Sequence, residues 1–103
     1  MKEVSLSAKD IDLIRQILLG PYQPILFGSR VDRTNGKFSD VDICLKSDAK
    51  IEGYQLGEIK EAFDESDLPY VVDVVDYFDL PPSFQKTVDK KGVLLQECAP
   101  AKD

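Results

Sequence analysis

Residues 40–45 read Asp40-Val41-Asp42-Ile43-Cys44-Leu45, and this stretch decides the fold. Val41, Ile43 and Leu45 alternate with Asp40, Asp42 and Cys44, a period of two that predicts a β-strand. Such a strand sends its apolar side chains to one face and holds Asp40 and Asp42 together on the other, about 6–7 Å apart along the chain. Two like charges held that close disfavour each other. A divalent cation relieves the conflict, and Mg²⁺ prefers oxygen ligands of this kind. The same spacing recurs at Asp10 and Asp12, but there it lies in a helical pattern and reads as an acidic first turn. A helix spreads alternate side chains by about 200°, whereas a strand aligns them.

Upstream, Pro24 to Phe27 predicts a short buried strand that ends at Gly28-Ser29-Arg30. Glycine permits a tight turn and close approach of a ligand to the backbone. The Ser29 hydroxyl and nearby amides can donate to phosphate oxygens, and Arg30 can pair with one. Taken alone, the same residues also read as an ordinary strand-ending turn. Downstream, Tyr70 to Val75 is β-branched and apolar, a strand expected to be buried on both faces except at Asp73. A carboxylate inside such a strand needs a partner. A metal shared with Asp40 and Asp42 supplies one; Arg30, Arg33 or a helix N-terminus supplies another. Asp76 falls at the strand's end on the opposite face and reads as a loop-capping residue.

The remaining pattern completes one domain. Ser7 predicts a helix N-cap with Asp10 three residues on, followed by an apolar stripe of Ile11, Ile14, Ile17 and Leu18 that Gly20-Pro21 stops. Val31 to Lys37 is polar, and Asn35-Gly36 signals a turn. Gly53 to Asp67 predicts a helix burying Leu56, Ile59 and Phe63. Pro81-Pro82 opens a short helix that Gly92 closes, and Val93 to Gln96 reads as a last strand. The expected architecture is an α/β (α+β) two-layer sandwich, a short mixed β-sheet with helices packed on one face, spanning residues 1–98. Residues 99–103 read as a frayed C-terminal tail.

Composition narrows the function. The chain has 103 residues, 43% hydrophobic and 31% charged, which fits a single globular domain. Its formal net charge of −6 opposes binding to polymeric nucleic acid. A single nucleotide remains compatible, because bound metal ions reverse the local sign of charge. There is no histidine, which removes Ser-His-Asp and Cys-His catalysis and histidine-ligated zinc. Two cysteines, Cys44 and Cys98, give no disulfide framework. With no apolar run of membrane-spanning length and no signal pattern at Met1-Lys2-Glu3-Val4, the expectation is a cytoplasmic protein.

Gly28-Ser29, ten intervening residues, Asp40-x-Asp42 and then a lone strand aspartate at Asp73 form one string. This string, across nearly the whole chain, resembles the minimal nucleotidyltransferases of the DNA polymerase β-like nucleotidyltransferase superfamily. The resemblance implies the nucleotidyltransferase fold and transfer of AMP from ATP to a hydroxyl acceptor, with release of pyrophosphate. It implies nucleotide-binding roles for Gly28 and Ser29, with Arg30 a further phosphate contact. It assigns two Mg²⁺ ions to Asp40 and Asp42, with Asp73 activating the attacking hydroxyl beside one metal.

Larger relatives carry an extra helical domain, and the expectation from the pattern of residues 1–103 is a sandwich without it. Minimal nucleotidyltransferases commonly pair with helical HEPN-family proteins in toxin–antitoxin modules, and several adenylylate a tyrosine of the HEPN toxin. A HEPN partner and an antitoxin role are therefore expected. The alternatives are a non-catalytic subunit that neutralises a HEPN partner by binding, and a transferase acting on a small hydroxyl compound.

Overall fold

The alternating stretch forms the central strand of a four-stranded sheet. In the computed structural model, which describes residues 1–101, β1 (Lys2–Val4) precedes α1 (Ala8–Ile17), β2 (Gln23–Phe27) and a single-turn α2 (Ser29–Asp32). β3 (Val41–Lys46), α3 (Gly53–Asp64), β4 (Val72–Asp76), α4 (Pro82–Lys91), β5 (Val93–Leu94) and β6 (Cys98–Pro100) follow. The main sheet has the order β4-β3-β2-β5. β3 runs antiparallel to β2 and parallel to β4, so the sheet is mixed as expected.

Register sorts the side chains. Leu26, Ile43 and Val74 align across three strands on one face, where they join Ile11 and Ile14 of α1 and Phe63 of α3 in the main core. Ile11, Ile14, Leu26, Ile43 and Val74 are all essentially inaccessible to water. Each fully buried aliphatic side chain of this kind stabilises the fold by about 1.5–3 kcal/mol. On the other face, Ile25, Cys44 and Val75 align and receive Val88 of α4. Helices therefore cover more than the single face expected. α1 and α3 back one side completely, and α4 lies against part of the other.

Local chemistry sets the boundaries. The Ser7 hydroxyl accepts from the Asp10 amide at 3.1 Å and caps α1 as its spacing predicts. Pro82 begins α4, where its missing N–H costs nothing, and Gly92 follows its last turn. α3 stops at Asp64, three residues before the expected end. The expected final strand shrinks to Val93–Leu94, and a 3₁₀ turn takes Leu95–Glu97. Val71, expected to be buried, is 61% exposed because the strand pairing begins only at residue 72.

The single-turn α2 and the two terminal strands escaped the sequence reading. β1 and β6 pair in parallel, Lys2 with Cys98 and Val4 with Pro100, so residues 99 and 100 are not frayed. Lys102 and Asp103 of the expected tail lie outside the described residues. Arg15 of α1 fastens this segment by donating to the carbonyls of Leu95 and Cys98, each at 3.0 Å. Three-residue strands carry too little pattern to be read, and their pairing spans nearly the whole chain length. Among the described residues no helix is long and apolar enough to cross a membrane.

Candidate active site

Phe27, Asp42 and Asp73 stand side by side on β2, β3 and β4, one row across the sheet face that α1 and α3 leave open. Adjacent strands are about 4.8 Å apart, so the Asp42 and Asp73 carboxylates come from neighbouring backbones. The third strand aspartate, 31 positions further along the chain than Asp42, is thus its direct register partner. Asp40 precedes β3 and is exposed at the edge of the same group. Burial, then the charge of Asp73, then that of Asp40, push the Asp42 carboxyl above the usual carboxylate range. Asp42 thus feels the charge of both other aspartates that the sequence singled out.

Gly28 ends this row. Its φ of +84° is a left-handed backbone that side chains rarely adopt, and a Cβ there would stand 2.5 Å from Asp42 Oδ2. Glycine is needed twice over, once for the turn and once for the carboxylate beside it. The Gly28 carbonyl accepts from the amides of Val31 and Asp32, both at 3.1 Å, which starts α2 with Ser29 as its first residue. Ser29 is half-buried next to the turn.

Arg30 goes elsewhere. It is 5% exposed, and its guanidinium donates to the carbonyls of Ser5 (2.9 Å), Ser39 (2.8 Å) and Lys37 (3.3 Å). It also lies 4.4 Å from the centroid of the Tyr70 ring. The Tyr70 hydroxyl donates to Asp10 at 2.7 Å, tying the start of α1 to the approach to β4. Burial, reinforced by that bond, raises the Tyr70 phenol well above its ordinary value. Arg30 is therefore a fastener between segments, and its expected role as a phosphate contact is corrected. No local sequence signal marks this, because its partners are backbone carbonyls from two other loops.

Asp76 is fully buried on the opposite face. It accepts from the Ile51 amide at 2.8 Å and from Phe78 at 3.0 Å, the capping role its position suggests.

A cleft of about 330 Å³ opens beside the carboxylates, lined by Gly28, Asp42 and Asp73 on the sheet side and by residues of α4 opposite. Phe27, Val75, Leu80 and Phe84 make it largely apolar, and Lys91 is the one cationic side chain among its lining residues. Sequence reasoning missed this α4 wall. The signal available was the spacing Phe84, Thr87, Lys91, which puts the three on one stripe of a helix.

Among the described residues, no three His, Cys, Asp or Glu side chains are placed so that together they could hold a metal ion. Mg²⁺ in nucleotide sites is held by one or two carboxylates together with substrate phosphates. The adjacent carboxylates Asp42 and Asp73, the first with its pKa raised by burial and then by its acidic neighbours, fit that requirement as a pair.

Comparison with known proteins agrees with this geometry. Residues 22–99 match the family described as polymerase beta, nucleotidyltransferase. A probable protein adenylyltransferase MntA from Haemophilus influenzae is 36% identical over 87 residues, which cover 84% of this chain and 76% of that protein. Among solved structures, a toxin-antitoxin crystallised with AMP-PNP superposes with a TM-score of 0.64 at 24% identity, covering 91% of this chain and 73% of that one. A mutant of the toxin-antitoxin MntA-HpeT gives 0.62 at 21% identity, covering 91% and 72%. At those identities the two structures speak for the fold alone. The matched segment contains Gly28, Asp42 and Asp73, and by that match this chain belongs to the polymerase beta nucleotidyltransferase family.

Proposed function

We propose that this nucleotidyltransferase transfers AMP from Mg²⁺-ATP to a tyrosine hydroxyl of a HEPN-family partner toxin and so acts as its antitoxin in the cytoplasm. The observation that carries this reading is the row Gly28, Asp42, Asp73 at the mouth of one cleft. The probable protein adenylyltransferase similar to this chain supports a protein acceptor.

In this reading Asp40, Asp42 and Asp73 hold Mg²⁺. When bound, the metal offsets triphosphate charge and makes a nearby hydroxyl more acidic. Gly28 lets the triphosphate approach the backbone, and Ser29 donates to its oxygens. Asp73, exposed at the rim, orients the acceptor hydroxyl and accepts its proton. The hydroxyl oxygen bonds to the α-phosphorus as the bond to pyrophosphate breaks, and pyrophosphate leaves. The protein's part is positioning and electrostatics, which needs no histidine.

The test is intact mass of a HEPN partner after incubation with this chain and Mg²⁺-ATP. One AMP increment on tyrosine is expected, absent with Asp42→Asn. Full neutralisation of the toxin by a variant with both Asp40 and Asp42 changed to Asn would assign the antitoxin role to binding instead.

A further inference from the structure

The α4 side of the cleft has a chemistry the carboxylates do not explain. Phe84 is 43% exposed, although its ring packs on Phe27 in a T-shaped contact with centroids 5.7 Å apart at 82°. Leu80 lines the cleft with it and Val75 of β4 adds apolar surface from the sheet side, so apolar surface abuts the Asp42–Asp73 pair. Phe84 is thus a large apolar ring left part-exposed beside a charged site, and covering it with another apolar ring would be favourable. At about 330 Å³ the cleft lies at the low end of ligand sites. It has room for one ring-bearing group, and not for a whole donor and acceptor together.

We infer that Phe84, with Leu80 and Val75 beside it, forms a subsite for a planar aromatic ring next to the catalytic carboxylates. The part-exposed Phe84 ring can stack or meet edge-to-face with a second ring, and its T-shaped contact with Phe27 holds it in place. The nucleotidyltransferase reading, on which this rests, provides two rings of the right kind: the adenine of the donor and the phenol of the acceptor. Both are flat, apolar on their faces and bonded near the reacting atoms.

The experiment compares wild type with Phe84→Leu, which keeps apolar volume without a ring, and Phe84→Tyr, which keeps the ring. Binding of Mg²⁺-AMP-PNP and of Mg²⁺-tripolyphosphate is measured by calorimetry, and KM for ATP and for the acceptor protein by mass of the product. Thermal melting checks that each variant is folded. If adenine occupies the subsite, Phe84→Leu weakens AMP-PNP binding about tenfold and leaves tripolyphosphate binding unchanged, while Phe84→Tyr restores it. If the acceptor phenol occupies it, AMP-PNP binding holds and the acceptor KM rises by a similar factor. A folded Phe84→Leu protein with every constant unchanged overturns the subsite and leaves the transferase reading standing. A wild-type chain that binds neither nucleotide nor acceptor overturns both.

Discussion

Asp42 Oδ2 occupies the space into which a side chain on Gly28 would grow, at 2.5 Å from its first atom. The turn and the carboxylate were 14 positions apart in the chain, and the β2–β3 pairing brings them into contact by aligning Phe27 with Asp42. Gly28→Ala therefore strains the backbone and displaces the carboxylate at once. The expected loss of stability is about 1–3 kcal/mol from the backbone strain at φ +84° and ψ −154° alone, read as a lower melting temperature. AMP transfer should fall by at least about 100-fold.

Asp42→Asn separates chemistry from folding. Removing the charge relieves both the burial cost and the repulsion from Asp73 and Asp40. The variant should melt at or above the wild-type temperature at pH 7, yet lose at least about 100-fold in transfer. The pH dependence follows from the sign of the shift. The folded carboxyl binds its proton more tightly than the unfolded one, whose pKa is about 3.9. The stability this proton contributes is present below that value and is lost as pH rises through the raised folded pKa. Urea midpoints should thus decline across that window in wild type relative to Asp42→Asn.

Added Mg²⁺ gives the complementary result. A cation that binds only the folded site raises stability with concentration, by about 2.7 kcal/mol at a hundredfold excess over its Kd. Melting temperature in the presence of ATP should rise with Mg²⁺ for wild type and stay flat for Asp42→Asn. Equal rises in both proteins would remove Asp42 from the metal site.

Arg30→Ala should behave as a folding lesion and not as a binding one. It leaves the carbonyls of Ser5, Lys37 and Ser39 without their donor and uncovers Tyr70. A cost of about 3 kcal/mol or more is expected, seen in denaturant midpoints. Any protein that remains folded should keep a near-normal KM for ATP.

Lys91 is the cation positioned for the task Arg30 cannot perform, since it lines the cleft across from Gly28. Lys91→Glu should raise the KM for Mg²⁺-ATP about tenfold, with Lys91→Arg close to wild type. Melting temperature should change little, because Lys91 is exposed.

The active-site strand, the glycine turn and the lone aspartate were legible because each depends on local rules. Alternation over residues 41–45 and the β-branched run before Asp76 announce strands wherever they dock. Asp76 itself was readable as a cap because an odd spacing from Asp73 puts the two on opposite faces. By itself, then, the sequence determined a mixed α/β sheet carrying three acidic groups and a tight turn. The tertiary structure alone decided three further matters. Arg30 is withdrawn to serve distant carbonyls, β1 and β6 pair across the full chain length, and α4 covers part of the open face, leaving Phe84 and Lys91 over the carboxylates. Each is a contact between residues far apart in the chain. Short-range periodicity fixes which face a side chain takes on its own element, but not which element arrives to meet it.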